Sequence, residues 1–133
     1  MEVREGMSKV VLTVGPGHTL REAARMMTGK GVGAAVVIDE EAPGPRIISE
    51  RDLLTSVGRG QNPDDEHVVD HMSDTVIAAA PDWSLERAAM EMSKRHVRHL
   101  VVFENGKIAG VLSMRDIVRC WTQEGATSGM TPP

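Results

Sequence analysis

The apolar positions of this chain recur in two rhythms, one helical and one extended. Leu20, Ala23, Ala24 and Met27 stand at i, i+3, i+4 and i+7, and Leu85, Ala88, Ala89 and Met92 repeat that spacing. Such a stripe occupies one face of a helix. Thr19 and Ser84 stand just before the stripes as N-cap candidates, and Glu22 can complete a capping box with Thr19. Short aliphatic runs follow, "AAVVI" from Ala34 and "HLVVF" from His99; both are rich in Val and closed by turn residues, which predicts strands. Asn105-Gly106 is the preferred two-residue hairpin turn and leads into a further strand, "KIAGVL", whereas the first half has the looser Pro and Gly turn "EEAPGPR". Each second strand ends in Ser-x-Arg-Asp and a short helix: Ser49, Arg51 and Asp52 in "ISERDLL", and Ser113, Arg115 and Asp116 in "LSMRDIV". A Ser with an acid three places on starts helices, because hydroxyl and carboxylate can each accept from the other residue's backbone N–H. Gly58 ends the first short helix, and "GRGQNPDDE" links the two halves.

The halves are copies. A shift of 65 positions aligns Val3 to Asp39 with Val68 to Glu104 without a gap and gives twelve identities over 37 positions. Unrelated sequences of this composition would give roughly two or three. The shift then becomes 64, which brings Ser49, Arg51 and Asp52 onto Ser113, Arg115 and Asp116. Each unit therefore reads strand, helix, strand, strand, helix: an α+β class built of tandem βαββα repeats, residues 1–60 and 61–121, with a polar, Gly- and Pro-rich tail at 122–133 expected to be disordered. A unit of under 60 residues would leave one sheet face bare, so the two are expected to pack face to face around a pseudo-twofold axis.

Composition narrows the chemistry. The only aromatics are Trp83, Phe103 and Trp121, so the core must be aliphatic and Met-rich, and no stacking platform for single-stranded nucleic acid is available. A net charge of −4 also argues against binding a phosphate backbone. The single cysteine, Cys120, permits no intrachain disulfide and is expected to be packing. No apolar run approaches the roughly 18 residues of a membrane span. The N-terminus lacks the basic-then-apolar order of a signal peptide, so the expected location is cytoplasmic, with neither nucleic acid nor membrane as partner. Met27 and Met92 lie on the apolar helix faces, while Met26 and Met90 fall beside them and could widen a dimer contact. His67 and His71, four apart, could grip a metal from a helix, but no further ligands are evident nearby and no metal site is assigned. No phosphate-loop, nucleophile-elbow, H-E-x-x-H or paired C-x-x-C motif occurs, and neither motif Ser has a repeated His partner, so no catalytic residues and no enzyme activity are expected.

The duplicated order, the aliphatic pairs and the motif "GVLSMRDIV" from Gly110 to Val118 resemble a pair of cystathionine-β-synthase (CBS) domains, over Val3 to about Trp121. The resemblance implies a regulatory module that binds an adenosyl ligand, AMP, ADP, ATP or S-adenosylmethionine, requires no cofactor, takes up Mg only with bound ATP, and forms homodimers. It further implies that the motif Asp accepts from ribose hydroxyls while the Ser helps hold ribose or phosphate. Carried over by position, it implies two clefts. One joins Ser49, Arg51 and Asp52 to Ile77, Arg98 and His99; the other joins Ser113, Arg115 and Asp116 to Leu12, Val32, Gly33 and Ala34. Leu12 or Ile77 would flank the adenine, and Arg98 or His99 would meet phosphate oxygens, which makes the first cleft the better phosphate site. Arg46 stands where the second repeat has Gly110, a glycine the family uses where backbones approach closely. The alternatives are a ligand-independent scaffold for an unknown protein partner, in which both Ser-x-x-Asp corners are caps, and a metal-dependent dimer.

Overall fold

A computed structural model of the chain describes residues 1–123. After a helical turn, α1 (Val3–Gly6), come β1 (Thr13–Val14), α2 (Leu20–Lys30), β2 (Ala34–Val37), β3 (Arg46–Ser49) and α3 (Glu50–Gly58). A 3-10 turn (Val68–Asp70) precedes β4 (Ala78–Ala79), α4 (Leu85–Arg95), β5 (His99–Glu104), β6 (Lys107–Ser113) and α5 (Met114–Gln123). The βαββα order therefore occurs twice. Each repeat forms a three-stranded sheet, β1-β2-β3 or β4-β5-β6, in which the first pair is parallel and the second antiparallel.

Local chemistry sets these boundaries. Thr19 Oγ1 accepts the Glu22 N–H at 3.1 Å and Glu22 Oε1 accepts the Thr19 N–H at 3.0 Å, which closes the capping box of α2. Ser84 Oγ accepts the Arg87 N–H at 3.0 Å and starts α4 without a reciprocal acid. The hairpin β5–β6 turns through Asn105 and Gly106, both left-handed at φ 53° and 76°, the geometry that two-residue turns require. Its ladder slips between Val102 and Phe103, leaving Ala109 as a bulge on β6.

Two compact units result, and they do not coincide with the contiguous repeats. One holds residues 11–76; the other holds residues 1–10 together with those from 77 onward. Each unit is completed by the segment that opens the other repeat. Val3 N–H bonds to the Trp83 carbonyl at 2.8 Å, and its counterpart Val68 N–H bonds to the His18 carbonyl at 2.9 Å. Ser8 exchanges two backbone bonds with Val111, at 2.9 and 3.0 Å; Ser73 exchanges two with Ile47, at 2.8 and 3.3 Å. The driving force is apolar. Val3 and Val68 are fully buried, one beside Leu85, Leu100 and Leu112, the other beside Leu20, Met27 and Ile48. Burial of one such side chain contributes about 1.5–3 kcal/mol.

Several expectations change here. His67 and His71 flank the 3-10 turn instead of riding a helix, and His71 Nε2 lies 2.8 Å from Glu66 Oε1. Met26 packs against the core of its unit, whereas Met90 is 71% exposed. Helix α5 continues through Thr122 and Gln123, two residues into the expected tail. The rest of that tail, 124–133, lies outside the described residues. The expectation that Cys120 is packing holds, for it is buried in the core beside Gly6. Among the described residues, no helix is long and apolar enough to cross a membrane.

Candidate functional site

The two Ser-x-Arg-Asp corners sit at equivalent places, where an antiparallel strand ends and a helix begins. In the unit of residues 11–76, Ala34 pairs with Ser49 across β2 and β3, and the Gly33 carbonyl accepts the Glu50 N–H at 2.9 Å. Leu12 enters beside them because its carbonyl accepts the Val36 N–H at 2.9 Å. Val32 packs on the core just before Gly33. In the other unit, His99 pairs with Ser113 across β5 and β6, the Arg98 carbonyl accepts the Met114 N–H at 2.9 Å, and the Ile77 carbonyl accepts the Val101 N–H at 3.0 Å.

Sheet register thus sets Gly33 and Ala34 beside Ser49 and Glu50, and Arg98 and His99 beside Ser113 and Met114, with Leu12 and Ile77 joined to the far side of the middle strand. The combinations implied by the resemblance each drew on both units. The physical reason for the grouping is short-range: the strand that carries residue 34 or 99 is the direct neighbour of the strand that delivers the motif Ser. Nothing in a linear sequence reports that adjacency without the register.

The carboxylates are held differently. Asp116 Oδ2 accepts the Ser113 N–H at 2.8 Å, and Ser113 Oγ accepts the Asp116 N–H at 3.0 Å, a complete reciprocal cap. Its Oδ1 receives Arg119 Nη1 at 3.2 Å, and Arg119 Nη2 donates to the Gly6 carbonyl at 3.1 Å. In the other corner, Asp52 Oδ2 accepts both the Ser49 N–H at 2.8 Å and the Ser49 hydroxyl at 3.1 Å. A carboxylate offers about four lone-pair directions, so in both corners capping engages part of the acceptor capacity and leaves the rest for a diol. The first turn of a helix adjoins each carboxylate and supplies N–H groups and partial positive charge. Arg51, Arg98 and Arg115 are exposed, and His99 is half-buried.

The glycine asymmetry has a geometric meaning. A Cβ on Gly110 would lie 2.5 Å from the Ser8 carbonyl oxygen and 2.9 Å from Met7 Sδ, so the backbone approach tolerates no side chain. At the aligned position Arg46 turns its side chain away: Nε reaches Asp74 at 3.2 Å, and Nη1 donates to the Pro43 and Gly44 carbonyls at 2.9 and 3.2 Å. The Ile47–Ser73 bridge survives beside it. Among the described residues, no group of three or more His, Cys, Asp or Glu is placed to hold a metal ion.

Residue Glu50 was missed by the sequence reading. Its carboxyl lies over Gly33, in the space a side chain there would enter. The signal was present in the repeat alignment, which sets Glu50 against Met114 and Gly33 against Arg98.

The family model described as CBS domain matches residues 2–59 and 68–122. The chain is 31% identical over 134 residues to the CBS domain-containing protein YhcV of Bacillus subtilis, covering 97% of this chain and 92% of that one. It is 35% identical over 121 residues to an uncharacterised protein of Methanopyrus kandleri, covering 90% of this chain but spanning only 62% of the length of that protein. Among solved structures, a CBS domain protein of Pyrobaculum aerophilum complexed with AMP superposes with a TM-score of 0.78 at 28% identity, covering 96% of this chain and all of the other.

Proposed function

Because the chain belongs to the CBS-domain family, with two matched repeats that span most of its length, we propose that it is a regulatory module that binds an adenosyl ligand and relays occupancy through the geometry of a homodimer or to a protein partner. It performs no catalysis in this reading, and Mg would enter only with ATP. One observation carries it: each unit sets an Asp carboxylate at the first turn of a helix, fixed by the N–H of the motif Ser, with acceptor capacity beyond the cap. A ribose diol can donate two bonds to such a group, and charge-assisted bonds of this kind are the strong ones. The 28%-identical Pyrobaculum protein, solved with AMP, supports the ligand class.

Within its own unit, the Ser113 corner suits a phosphorylated nucleoside. Asp116 would take the ribose, exchanging its contact with Arg119 for one with a hydroxyl, while the forked guanidinium of Arg98 or Arg115 meets phosphate oxygens. A ligand shifts the module between shapes only by its difference in affinity for them, and 100-fold saturation of one shape amounts to about 2.7 kcal/mol.

Calorimetric titration of nucleotide-stripped protein with AMP, ADP, ATP and S-adenosylmethionine tests this, repeated with Asp52→Asn and Asp116→Asn. Asparagine keeps an acceptor for the cap but loses the charge, so folding is retained. Saturable binding weakened at least tenfold in one variant is the expected result. The engagement of both carboxylates in caps favours one rival, a ligand-independent scaffold. It predicts no heat and no thermal stabilisation with any of the four compounds.

A further inference from the structure

The two corners share a backbone and differ in charge. At the start of α3 the Glu50 N–H donates to the Gly33 carbonyl, and the Glu50 side chain folds back over the same residue. A Cβ at position 33 would lie 3.0 Å from the Glu50 carboxyl carbon and 3.1 Å from each oxygen. The carboxylate therefore occupies the room that a side chain at 33 would need. At the start of α5 the aligned pair is Met114 and Arg98, joined by the same backbone bond at 2.9 Å. An apolar residue opens that helix, and a cation stands where the first repeat has only hydrogen. The first turn of α3 thus carries the carboxylates of Glu50 and Asp52, with Arg51 between them in sequence. The α5 corner contains Asp116 with Arg98, Arg115 and Arg119.

We propose that Glu50 is a selectivity residue that closes the α3 corner to phosphorylated nucleosides and reserves it for an adenosyl ligand whose 5′ substituent is uncharged or cationic. The inference rests on the adenosyl-ligand reading and adds a division of labour to it. A phosphate monoester carries roughly −1.5 to −2 charges at pH 7, so a carboxylate already lying over Gly33 opposes it by direct repulsion. A sulfonium or ammonium group meets attraction at the same place. Glu50 is exposed, and its discrimination should weaken as salt is raised.

The experiment is a calorimetric titration of the full chain with AMP and, separately, with S-adenosylmethionine. It compares the wild type with Glu50→Gln and with Glu50→Met, the residue the second repeat uses. Asp52→Asn and Asp116→Asn, each alone and combined with Glu50→Gln, assign every binding event to a corner. Neither change at position 50 touches the core, and the backbone bond to Gly33 does not depend on the side chain.

The expected result is AMP binding to the wild type that Asp116→Asn removes and Asp52→Asn spares. Glu50→Gln should then improve AMP affinity at the α3 corner about tenfold, the scale of one like-charge contact at a partly solvated surface, while weakening S-adenosylmethionine there. AMP binding that Asp52→Asn removes in the wild type, or a second AMP affinity unmoved by both position-50 variants, would overturn the role of Glu50 and leave the sensor reading standing. Absence of binding by either compound to any variant would overturn both.

Discussion

Replacing Gly110 with alanine should strip the N-terminal segment from its unit. The new Cβ would lie 2.5 Å from the Ser8 carbonyl oxygen, far inside contact distance, and the obstacle is backbone that cannot rotate away. Ser8 must then give up its two bonds to Val111. At about 1 kcal/mol each, their loss costs ~2 kcal/mol. If α1 lifts with the strand, the fully buried Val3 is exposed as well, at a further ~1.5–3 kcal/mol. Relaxation lowers the sum, so the expected destabilisation is about 2–4 kcal/mol. Gly29 provides the control: it lies within α2, and a Cβ there meets nothing within 4 Å. Gly29→Ala should therefore stabilise the protein by about 0.5–1 kcal/mol. The assay is urea unfolding of both variants, with amide hydrogen exchange read at Ser8 and Val111. A Gly110→Ala protein within about 0.5 kcal/mol of wild type, with both amides still protected, would refute the steric reasoning and the exchanged segment together.

Leu100→Ala, in a fully buried position, should cost about 2–5 kcal/mol in urea unfolding, whereas Leu54→Ala, at a residue 72% exposed, should stay within about 0.5 kcal/mol. Gly106→Ala places a side chain at φ 76° and should cost about 1–2 kcal/mol, read by the same method. The backbone N–H and then the hydroxyl of Thr19 hold the Glu22 carboxyl below its ordinary value of 4.5. Its contribution to stability is therefore present above pH 4.5 and lost as pH falls through the lower folded value. Thr19→Val should move the Glu22 titration, followed by carboxyl NMR, part of the way back up; an unmoved titration would show that the hydroxyl is not a cause.

Much of the fold was legible because it is encoded locally. The stripe of Leu20, Ala23 and Met27, the capping box of Thr19 and Glu22, and the Asn105-Gly106 turn each announce one element within a few residues. The duplication then multiplied the signal of every element by presenting it twice. What escaped was non-local. The Ser8–Val111 bridge joins residues about a hundred positions apart, and no residue near Ser8 names its partner. The motif corners were legible as caps; which strand residues surround them depended on register. Glu50 escaped for another reason: on a helix surface it looks like ordinary first-turn acid, and only the absent side chain of Gly33 lets its carboxyl lie over that position. His67 and His71 misled because helical spacing is not evidence of a helix where the chain makes one 3-10 turn.

The exchanged N-terminal segment also fixes an order of events during synthesis. Ser8 leaves the ribosome long before Val111, and at roughly 5–20 residues per second the interval is on the order of ten seconds. Residues 11–76 need nothing made later than Ser73 to close their own core. Residues 1–10 cannot complete their bonds until the last strand emerges, because Ser8 pairs with Val111. During that wait a neighbouring nascent chain on the same message, further along, already offers an identical strand edge. Trading segments between siblings would keep the same backbone bonds, so an intertwined pair is the product that delayed closure makes accessible.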